Sequence, residues 1–517
     1  MAIVLIGFMG AGKSTAAREL AAALGQERPL DTDELLAARF GHSVAEEFEL
    51  HGEEAFRAVE EELVLDVLAR ACSDEVIALG GGSVLSERVQ AALAGETTVL
   101  LEVEPETAWE RVSGNGAGPE RPLAADRDTF WRLHAERAPL YERLAGAVVG
   151  PGRRAGLASV APSLAVLERV AGDARLLWAT SASGEYPVLI GDGLLTEHGP
   201  QILSDWPLRD AGRAFAVSDE TVAARYGERL GETAVTVTIA PGEQSKTLAS
   251  AERVWSELAQ SGMTRADRLL ALGGGVVGDL AGFCAATYQR GVPVVQVPTT
   301  VVAQVDSAYG GKTGVDLPAA KNYVGAYHQP AGVLVDPGTL SSLPAAEAAA
   351  GWVEVLKTAL IAGGELWERV SAGADIDASI VFACARTKLA IVAADERDGG
   401  RRQVLNLGHT VGHAIETASG YGHYRHGEAV GLGLLAALRL SGQDGLRGQV
   451  SELLRARGLP CRMEHADVDD VLQAVARDKK RLGAEVPFVL VDAPGEVVHG
   501  RSVPDDEVRV AVEELAR

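Results

Sequence analysis

A glycine-rich stretch near the amino terminus has the residue types and the spacing of a phosphate-binding loop. Residues 7–14 read G-F-M-G-A-G-K-S, and they stand between the apolar run 3–6 and a helix-forming stretch over 16–23. Backbone N–H groups of such a loop close around phosphate oxygens, a lysine neutralises the β and γ oxygens, and a hydroxyl at the helix N-terminus is placed to bind Mg²⁺. The pattern predicts a nucleoside triphosphate site with Lys13 on the phosphates and Ser14 on the metal.

Histidines and a carboxylate with the spacing of metal ligands lie in the second half of the chain. His409 and His413 are four residues apart on one face of a predicted helix, a His-Gly-Glu triplet begins at His426, and Glu354 lies upstream with Lys357 three residues later. Two histidines and a carboxylate suit a catalytic zinc ion with one open position. A single histidine is more often a hydrogen-bonded core residue, so the prediction of a metal centre rests on the combination.

A second glycine turn, Gly273 to Gly275, follows the apolar run 269–272 and opens a predicted helix. Such a turn suits a pyrophosphate group at a helix N-terminus. It lacks the G-x-G-x-x-G spacing, and alone it fits a nucleotide site and tight helix packing equally well. The metal-type residues favour the nucleotide site.

The length and the charge of the chain limit the possible functions. A chain of 517 residues exceeds a single core and predicts about three domains. The 48 basic and 72 acidic residues give a formal charge of −24, with no basic run, which disfavours nucleic acid and anionic membranes as partners. Anionic substrates would have to be bound by a few local lysines and arginines.

The cysteines and the hydropathy predict a soluble protein of the cytoplasm. Cys72, Cys284, Cys384 and Cys461 are widely spaced, which argues against a disulfide framework and against a thiolate zinc site. The apolar amino terminus is too short and too glycine-broken for a signal peptide, and no run approaches the roughly 18 apolar residues of a membrane span.

The hydrophobic pattern divides the chain into two α/β domains and a helical domain. Residues 1–171 alternate apolar strands (3–6, 76–79 and 99–103) with helices, and a helix over 162–170 closes this domain after the linker 150–156. The boundary is predicted near Gly172. Residues 172–335 form a second α/β unit, with strands at 214–217, 235–239, 269–272 and 294–297. Residues 336–517 are predicted to be all-helical, with helices over 344–364, 376–394 and 410–419.

Several motifs of the first 170 residues recur together in one enzyme family. Asp31-Thr-Asp33 follows the first helix where a second strand should end, although a D-x-D alone is usually only solvated. Together with G-F-M-G-A-G-K-S-T, F-R-x-x-E, G-G-G, R-P-L and E-R-x-P-L-Y, it makes this part resemble shikimate kinase over the entire domain. The resemblance implies a P-loop kinase fold with a parallel sheet, and the ATP- and Mg²⁺-dependent phosphorylation of the 3-hydroxyl of shikimate.

The resemblance to shikimate kinase also implies roles for individual residues. Asp33 would hold substrate hydroxyls, Arg57 and Arg137 would grip the carboxylate, and the backbone of Gly80, Gly81 and Gly82 would line the pocket. Asp31 is a candidate for orienting the Mg²⁺ shell or the attacking hydroxyl. The glycine-rich residues 113–119 predict the hinge of a lid that brings Arg121 onto the transferred phosphate. The predicted ATP-binding residues are Gly10, Ala11, Gly12, Lys13, Ser14, Thr15, Arg111 and Arg121.

From Arg175 to the C-terminus the chain resembles 3-dehydroquinate synthase. The shared strings include P-G-E-Q-S-K, L-G-G-G-V-V-G-D-L-A-G-F, Q-V-P-T-T, Q-V-D-S, G-G-K-T, E-V-L-K and L-N-L-G-H-T-V-G-H-A-I-E. The resemblance implies that NAD⁺ and zinc or cobalt support the conversion of 3-deoxy-arabino-heptulosonate 7-phosphate to 3-dehydroquinate and phosphate. It makes Glu354, His409 and His426 the metal ligands and leaves His413 for proton transfer and phosphate contact.

The same resemblance implies the remaining site residues. Those predicted to bind NAD⁺ are Asp219, Glu243, Lys246, Gly274, Gly275, Asp279, Thr299, Thr300, Asp306, Lys312 and Lys321. Those predicted on the substrate side are Arg290, Asp306, Lys312, Asn322, Lys357, Lys388, Arg402, Asn406, His413, Lys479 and Lys480. Tyr309 and Asp316 depart from the small or aliphatic residue and the asparagine that the family more often shows at these positions.

The leading hypothesis is a bifunctional enzyme of aromatic amino-acid precursor synthesis that acts on small molecules and forms a homo-oligomer through the synthase part. The two reactions are not consecutive, so no direct transfer of product between the sites is expected. Two alternatives stay open. In one, the kinase part senses a nucleotide without turnover; in the other, the synthase part is a cyclase for another heptulose phosphate, such as sedoheptulose 7-phosphate.

Overall fold

The computed structural model describes residues 1–113, 126–152, 156–170, 172–208, 212–318, 320–420, 422–482 and 487–517, with the backbone alone over 478–482. The chain divides into two compact units. The first consists of Met1–Thr180, Glu185–Gly191 and Asp205–Arg209, and the second of Ser181–Gly184, Asp192–Ser204 and Asp210–Arg517. Among the described residues, no helix combines the length and the apolar character that crossing a membrane requires.

The first unit is built on a largely parallel sheet. Its strands are β1 (Ile3–Ile6), β2 (Leu30–Asp31), β3 (Val76–Ala78), β4 (Thr97–Leu101), β5 (Ala147–Val149), β6 (Arg175–Thr180) and β7 (Glu185–Ile190). They lie in the order β2-β3-β1-β4-β5-β6-β7, and neighbours are parallel except for the antiparallel hairpin β6–β7. The central strands are buried along their whole length, as expected of a parallel sheet with both faces covered.

The helices of the first unit alternate with these strands. They are α1 (Lys13–Ala23), α2 (Thr32–Phe40), α3 (Val44–Arg70), α4 (Glu87–Leu93), α5 (Pro105–Ser113), α6 (Arg127–Leu144) and α7 (Ala161–Arg169). Ser43 and Glu46 form a capping box at the start of α3, and Gly52, with φ 79°, breaks this helix into two segments. The predicted strands and the closing helix of this domain are confirmed to within a few residues at each end.

The second unit contains a parallel sheet and two hairpins. Its strands are β8 (Ala214–Asp219), β9 (Thr236–Ile239), β10 (Arg268–Gly273), β11 (Val294–Pro298), β12 (Lys312–Leu317), β13 (Ala320–Tyr327), β14 (Gly332–Val335), β15 (Phe488–Ala493) and β16 (Glu496–Arg501). The sheet has the order β14-β11-β10-β8-β9, and β12–β13 and β15–β16 are antiparallel hairpins. Its core packs β8, β9 and β10 against the helices Leu248–Gln260 and Gly275–Thr287.

Helices dominate the rest of the second unit. They are α8 (Gly199–Leu203), α9 (Glu220–Tyr226), α10 (Leu248–Gln260), α11 (Gly275–Thr287), α12 (Ala345–Ala362), α13 (Gly364–Ser371), α14 (Ala378–Ala394), α15 (His409–Ala418), α16 (His426–Leu440), α17 (Asp444–Ala456), α18 (Val468–Leu482) and α19 (Asp505–Ala516). The helical prediction for 336–517 is thus confirmed with one correction. The hairpin β15–β16 interrupts it, because the buried Phe488, Val489 and Val491 stand among more exposed residues in a half-buried strand.

The carboxyl ends of the parallel strands in the second unit carry many of the predicted nucleotide-binding residues. Strand β8 ends at Asp219, β10 ends at Gly273, and β11 ends at Pro298 next to Thr299 and Thr300. Ligands of open α/β sheets bind at this edge. The predicted strands 214–217, 235–239, 269–272 and 294–297 are confirmed, and the structure places these residues at one edge of the sheet.

Candidate active sites

The phosphate loop of the first unit connects β1 to α1, as predicted. Gly10 and Gly12 have φ values of 81° and 87°, and a Cβ on Gly10 would lie 2.7 Å from the carbonyl oxygen of Ala108, so this approach requires glycine. The buried Lys13 donates from Nζ to the carbonyl oxygens of Gly7 at 2.8 Å and Phe8 at 3.3 Å. Its ammonium is therefore held within the loop where a phosphate would lie.

Arg111 and the start of α1 complete this end of the site. The Arg111 guanidinium reaches over the loop from the last turn of α5 and donates from Nη1 to the carbonyl oxygen of Gly10 at 2.9 Å. Ser14 and Thr15 lie in the first turn of α1, next to the buried Lys13. The structure thus brings these predicted ATP-binding residues together.

The two carboxylates of the D-x-D motif have different surroundings. Asp31 is buried and caps α2, because its Oδ1 accepts from the backbone N–H groups of Asp33 at 3.0 Å and Glu34 at 3.4 Å. Asp33 projects toward the glycine turn after β3, where a Cβ on Gly80 would lie 2.8 Å from its Oδ1. Asp33 therefore borders the predicted shikimate pocket, and Asp31 lies at the helix start behind it.

Arg57 packs directly on the same glycine turn. A Cβ on Gly82 would lie 2.1 Å from Arg57 Nη1, so a larger residue would displace the guanidinium. Arg57 forms ion pairs with Glu60 at 2.5 Å and with Glu53 at 3.3 Å. Glu60 is almost fully buried and also accepts from the Ser83 hydroxyl at 2.7 Å. Glu60 thereby fixes the orientation of Arg57.

Arg137 reaches the pocket from α6 together with Tyr141. Both side chains are buried, and the Tyr141 hydroxyl donates to the carbonyl oxygen of Gly81 at 2.5 Å. Burial raises the pKa of Tyr141 to about 12, although Arg137 and Arg57 lower it. The phenol is therefore neutral and keeps donating to the glycine turn. Arg121, which is predicted to contact the transferred phosphate, lies outside the described residues, as do residues 114–119 of the predicted lid hinge.

Three histidines and a buried glutamate converge in the second unit. The ligand atoms of His409, His413 and His426 lie within 4.8 Å of one another. Oε1 of Glu354 is 3.7 Å from Nε2 of His409 and 3.5 Å from Nε2 of His426. Helices α12, α15 and α16 supply these side chains, with His409 and His426 each in the first position of its helix. The predicted metal ligands are thus brought together.

The electrostatics of this cluster fit a bound cation. Apart from the Lys357 ammonium, 2.5 Å from Oε2, neither oxygen of the fully buried Glu354 has a well-aligned hydrogen-bond donor among the described residues. Burial lowers the pKa of His426, but Glu354 and Glu416 outweigh it and raise it to about 9. Burial, with Lys357 nearby, lowers the pKa of His409 to about 3. The site favours one positive charge between carboxylates, and two imidazoles with a carboxylate are a donor set for zinc or cobalt.

The nucleotide end of the second unit has the close packing that a pyrophosphate site requires. A Cβ on Gly274 would lie 2.9 Å from Thr300 Cγ2, and one on Gly275 would lie 3.0 Å from Ser307 Oγ, so the backbone at the start of α11 stays accessible only with glycine. The Thr299 hydroxyl is buried without a hydrogen-bond partner among the described residues. An unsatisfied hydroxyl at this edge fits a polar ligand.

A buried lysine connects the predicted NAD⁺-binding carboxylates. Lys246 is 4 % exposed, and its Nζ lies 2.8 Å from Glu243 Oε1, 3.3 Å from Asp279 Oδ2 and 4.0 Å from Asp316 Oδ1. Burial raises the pKa of Asp279 to about 6, although Lys246 opposes it. Asp219 lies at the end of β8, where its Oδ1 caps α9 by accepting from the N–H groups of Thr221 and Val222.

Two of the predicted substrate-side lysines form ion pairs, and Asp306 lies in a π-helical turn, Ala303–Ser307. Lys388 Nζ lies 2.7 Å from Asp306 Oδ1 and also donates to the Asp306 carbonyl oxygen, and Lys312 forms an ion pair with Asp398. Burial raises the pKa of Asp306, but Lys388 and Lys357 outweigh it and hold it at about 2. This carboxylate stays charged throughout the neutral range.

Comparisons with known proteins identify the families of the two parts of the chain. Family models match for shikimate kinase over residues 9–166, for the 3-dehydroquinate synthase N-terminal region over 236–350 and for its C-terminal region over 351–481. The 3-dehydroquinate synthase of Halorhodospira halophila is 43 % identical over 350 residues, which cover 64 % of this chain and 97 % of that protein. The chain belongs to the 3-dehydroquinate synthase family, with a shikimate kinase domain ahead of the synthase.

Two further relatives support the synthase assignment. The 3-dehydroquinate synthase of Symbiobacterium thermophilum is 42 % identical over 355 residues, which cover 64 % of this chain and 98 % of that protein. The solved structure of 2-epi-5-epi-valiolone synthase from Streptomyces hygroscopicus subsp. jinggangensis, with NAD⁺ and Zn²⁺ bound, covers 65 % of this chain and 99 % of its own at 27 % identity and a TM-score of 0.57. The chain is therefore a bifunctional enzyme of the shikimate pathway.

Sequence reasoning did not assign roles to several residues that the structure places in these sites. In the kinase domain they are Glu60 and Tyr141, although both stand in the quoted motifs F-R-x-x-E and E-R-x-P-L-Y. In the synthase, Glu416 Oε2 lies 3.4 Å from His426 Nδ1 and its Oε1 lies 3.3 Å from Lys321 Nζ. Glu416 could have been found from the sequence, because it is the last residue of the quoted string L-N-L-G-H-T-V-G-H-A-I-E. Glu416 fixes the His426 ring, as outer carboxylates commonly do for metal-ligating histidines.

Other predicted substrate-side residues lie in several different elements of the synthase. Arg290 lies beyond the C-terminal end of α11, whereas Gly274 and Gly275 lie at its start, about 20 Å away by helix length. Arg402 is buried and donates to the carbonyl oxygens of Glu396 and Gly310. Asn406 ends a 3₁₀ turn three residues before His409. The side chains of Lys479 and Lys480 lie outside the described part of the chain.

The two departures from the family pattern are accommodated by packing. Tyr309 is buried under the loop that carries Asp306, and its hydroxyl donates to the carbonyl oxygen of Gln304 at 2.6 Å. Asp316 Oδ1 accepts from the backbone N–H of Asn322 at 2.6 Å, which fixes Asn322 at its positive φ of 53°.

Two substitutions of Asp316 distinguish the role of its hydrogen bond to Asn322 from the role of its negative charge near Lys246. We expect Asp316→Asn to stay within about threefold of the unchanged synthase, because the amide oxygen still accepts from Asn322 and Lys246 keeps two other carboxylates. Asp316→Ala should lose about tenfold in kcat/KM, because it releases the turn at Asn322. Phosphate release at varied NAD⁺ and substrate concentrations measures both. Equal losses in the two variants would show that the charge matters and the bond does not.

Proposed function

We propose that the kinase domain transfers the terminal phosphoryl group of ATP to the 3-hydroxyl of shikimate. The observation that supports it is the convergence of Asp33, Arg57 and Arg137 on the glycine turn 80–82 beside the phosphate loop. Two guanidiniums suit a carboxylate and a half-buried carboxylate suits hydroxyls, so the pocket fits a hydroxylated acid.

In this proposal the chain acts mainly by positioning its substrates. Lys13 would exchange the carbonyl oxygens of Gly7 and Phe8 for phosphate oxygens, and Ser14 would hold Mg²⁺. Asp33 would orient the attacking hydroxyl, and Asp31, which starts α2, would act on the Mg²⁺ shell. Arg121 keeps its predicted role on the transferred phosphate.

We propose that the synthase converts 3-deoxy-arabino-heptulosonate 7-phosphate to 3-dehydroquinate and phosphate, as its relatives' name indicates. The single observation that carries this proposal is the approach of His409 Nε2 and His426 Nε2 to one oxygen of the buried Glu354. These residues would hold the divalent cation, and the start of α11 would hold the pyrophosphate of NAD⁺. When bound, NAD⁺ takes up and returns a hydride, and the cation polarises the alcohol oxygen.

The residues around this site would bind and orient a doubly anionic sugar acid. Lys357 and Lys388 supply ammonium groups at this site, and each is paired with one carboxylate in the structure, Lys357 with Glu354 and Lys388 with Asp306. His413, whose ring centroid lies 5.1 Å from that of His409, would move the proton and contact the phosphate. Glu416 would hold His426 in its ligating orientation.

The test of the synthase proposal is phosphate release from 3-deoxy-arabino-heptulosonate 7-phosphate with NAD⁺ and Zn²⁺ added singly and together. Dependence on both supports it. Faster phosphate release from sedoheptulose 7-phosphate would instead favour the alternative of another cyclase. For the kinase, the absence of shikimate-dependent ADP release would favour the alternative of a nucleotide sensor.

Metal removal should separate the two activities. After EDTA treatment and its removal, we expect Mg²⁺ alone to restore shikimate-dependent ADP release, because ATP is used with magnesium. Zn²⁺ or Co²⁺ should be needed for phosphate release, because imidazole nitrogens favour these ions over Mg²⁺. Coupled ADP and phosphate assays measure both activities in one sample. Full synthase activity with Mg²⁺ alone would contradict the proposed ligand set.

The proposal also covers the partners, the location and the assembly of the protein. Small molecules are the substrates, and we propose a cytoplasmic homo-oligomer that forms through the synthase part, with neither nucleic acid nor membrane as a partner. The two sites act without direct transfer of product, because their reactions are not consecutive. Comparing each rate with and without the other enzyme's substrates tests this independence.

A further inference from the structure

The kinase domain contains a β-hairpin that its family match does not include. The shikimate kinase match ends at residue 166 and the synthase match begins at residue 236, whereas β6 and β7 span Arg175–Ile190 between them. The resemblance to 3-dehydroquinate synthase, which begins at Arg175, would place this hairpin in the synthase. The first compact unit nevertheless includes both strands, together with residues 205–209.

Strand β6 continues the kinase sheet beyond β5. Leu176, Leu177 and Trp178 pair in parallel with residues 147–149, and the N–H of Leu176 donates to the carbonyl oxygen of Gly146 at 2.9 Å. These three side chains are at most 8 % exposed, and α7 packs against β6. Without this pairing β5 would be an edge strand with unpaired backbone groups.

Arg175 closes the end of α6. Its Nε donates to the carbonyl oxygen of Ala145 at 3.1 Å, and its Nη2 donates to that of Glu142 at 3.0 Å. The last carbonyl groups of a helix have no partner within the helix, and a guanidinium there also favours the helix dipole. Arg175, the first residue of β6, thus provides hydrogen-bond donors for the last carbonyl groups of α6.

Trp206 makes a third contact with the same domain. Its indole N–H donates to the Ser163 hydroxyl on α7 at 3.0 Å, and both side chains are 2 % exposed. The ion pair between Arg169 and Asp205, at 3.9 Å, is largely exposed and adds little. The contact is therefore mainly a backbone ladder, a helix cap and a buried indole.

We propose that β5, the end of α6 and Ser163 form an interaction surface whose partner, within the same compact unit, is β6 together with Trp206. This inference does not depend on which reactions the two domains catalyse. It means that the first 171 residues do not form a complete fold here, and that this non-covalent contact holds them to the following chain even when the backbone is cut near Gly172.

A cut chain tests the proposal. Gly172 is exposed, and a Cβ there would meet nothing within 4 Å, so a protease recognition sequence can be inserted between Gly172 and Asp173. After cleavage we expect the two pieces to elute together in size-exclusion chromatography without denaturant, with the kinase activity of the uncut insertion chain. Separate elution, or aggregation of the shorter piece alone, would overturn the proposal.

Two substitutions locate the contact in the cut chain. Arg175→Met removes both bonds to α6, and Trp206→Phe removes the buried bond to Ser163. Each should weaken the association of the pieces about tenfold on dilution, relative to Arg225→Met, which replaces an exposed arginine of α9. In the intact chain both should lower the temperature at which kinase activity is lost and leave synthase activity unchanged. No difference from Arg225→Met in either measurement would place the contact elsewhere.

Discussion

Glu354→Gln removes synthase activity and leaves shikimate-dependent ADP release unchanged. The substitution keeps the shape of the side chain but removes the negative charge between His409 and His426, so the divalent cation loses its anionic ligand. It also leaves the Lys357 ammonium buried without its counter-ion, which costs about 3–5 kcal/mol. We expect phosphate release to fall by at least about 10³-fold, and bound zinc to fall with it.

Controls separate this effect from misfolding. Glu365→Gln, at an exposed position of the next helix, α13, should retain both activities and bound zinc. The double variant Glu354→Gln with Lys357→Met restores the charge balance, so it should recover thermal stability but not phosphate release. Recovery of phosphate release in the double variant, or normal bound zinc in Glu354→Gln, would refute the ligand assignment.

Lys13→Met removes kinase activity and leaves the synthase intact. Methionine fills the space of the lysine stem but cannot neutralise the β and γ oxygens of ATP, which the ammonium is positioned to do beside Gly7 and Phe8. We expect shikimate-dependent ADP release to fall by at least about 10³-fold, which corresponds to about 4 kcal/mol of transition-state stabilisation. Coupled ADP and phosphate assays on the same preparation measure both activities.

Arg18→Met is the matched control for Lys13→Met. Arg18 lies on the same helix α1 but is exposed, with only a distant ion pair to Glu34 at 3.6 Å. It should therefore keep both activities. Kinase turnover near the normal rate in Lys13→Met would contradict the catalytic role of this loop, and loss of phosphate release in the same variant would contradict the independence of the two sites.

The fold was predictable wherever local pattern and burial agree. Strands such as Ile3–Ile6 and Val294–Pro298 are short apolar runs in the sequence and fully buried strands of parallel sheets in the structure. The hairpin β15–β16 was missed because its half-buried strands alternate weakly and include Pro494 and Gly495 at the turn. A pattern of that kind does not differ locally from a loop between two helices.

The site residues were predictable as members of motifs, but their partners were not. Glu60, Tyr141 and Glu416 stand in the quoted strings, yet only the folded chain brings them to Arg57, Gly81 and His426. Their partners range from three to sixty residues away in sequence. Such contacts depend on how helices pack, which spacing along the chain does not encode.

The sequence by itself determined the two chemistries, because phosphate loops, glycine turns and metal ligands require particular residue types at particular spacings. It also determined where lysine is used in this acidic chain, because all eight lysines stand at predicted site positions. Only the tertiary structure decided which oxygen of Glu354 faces both histidines, which carboxylates surround Lys246, and that β6 completes the kinase sheet. These features arise from contacts between distant segments, and their geometry is fixed by packing in three dimensions.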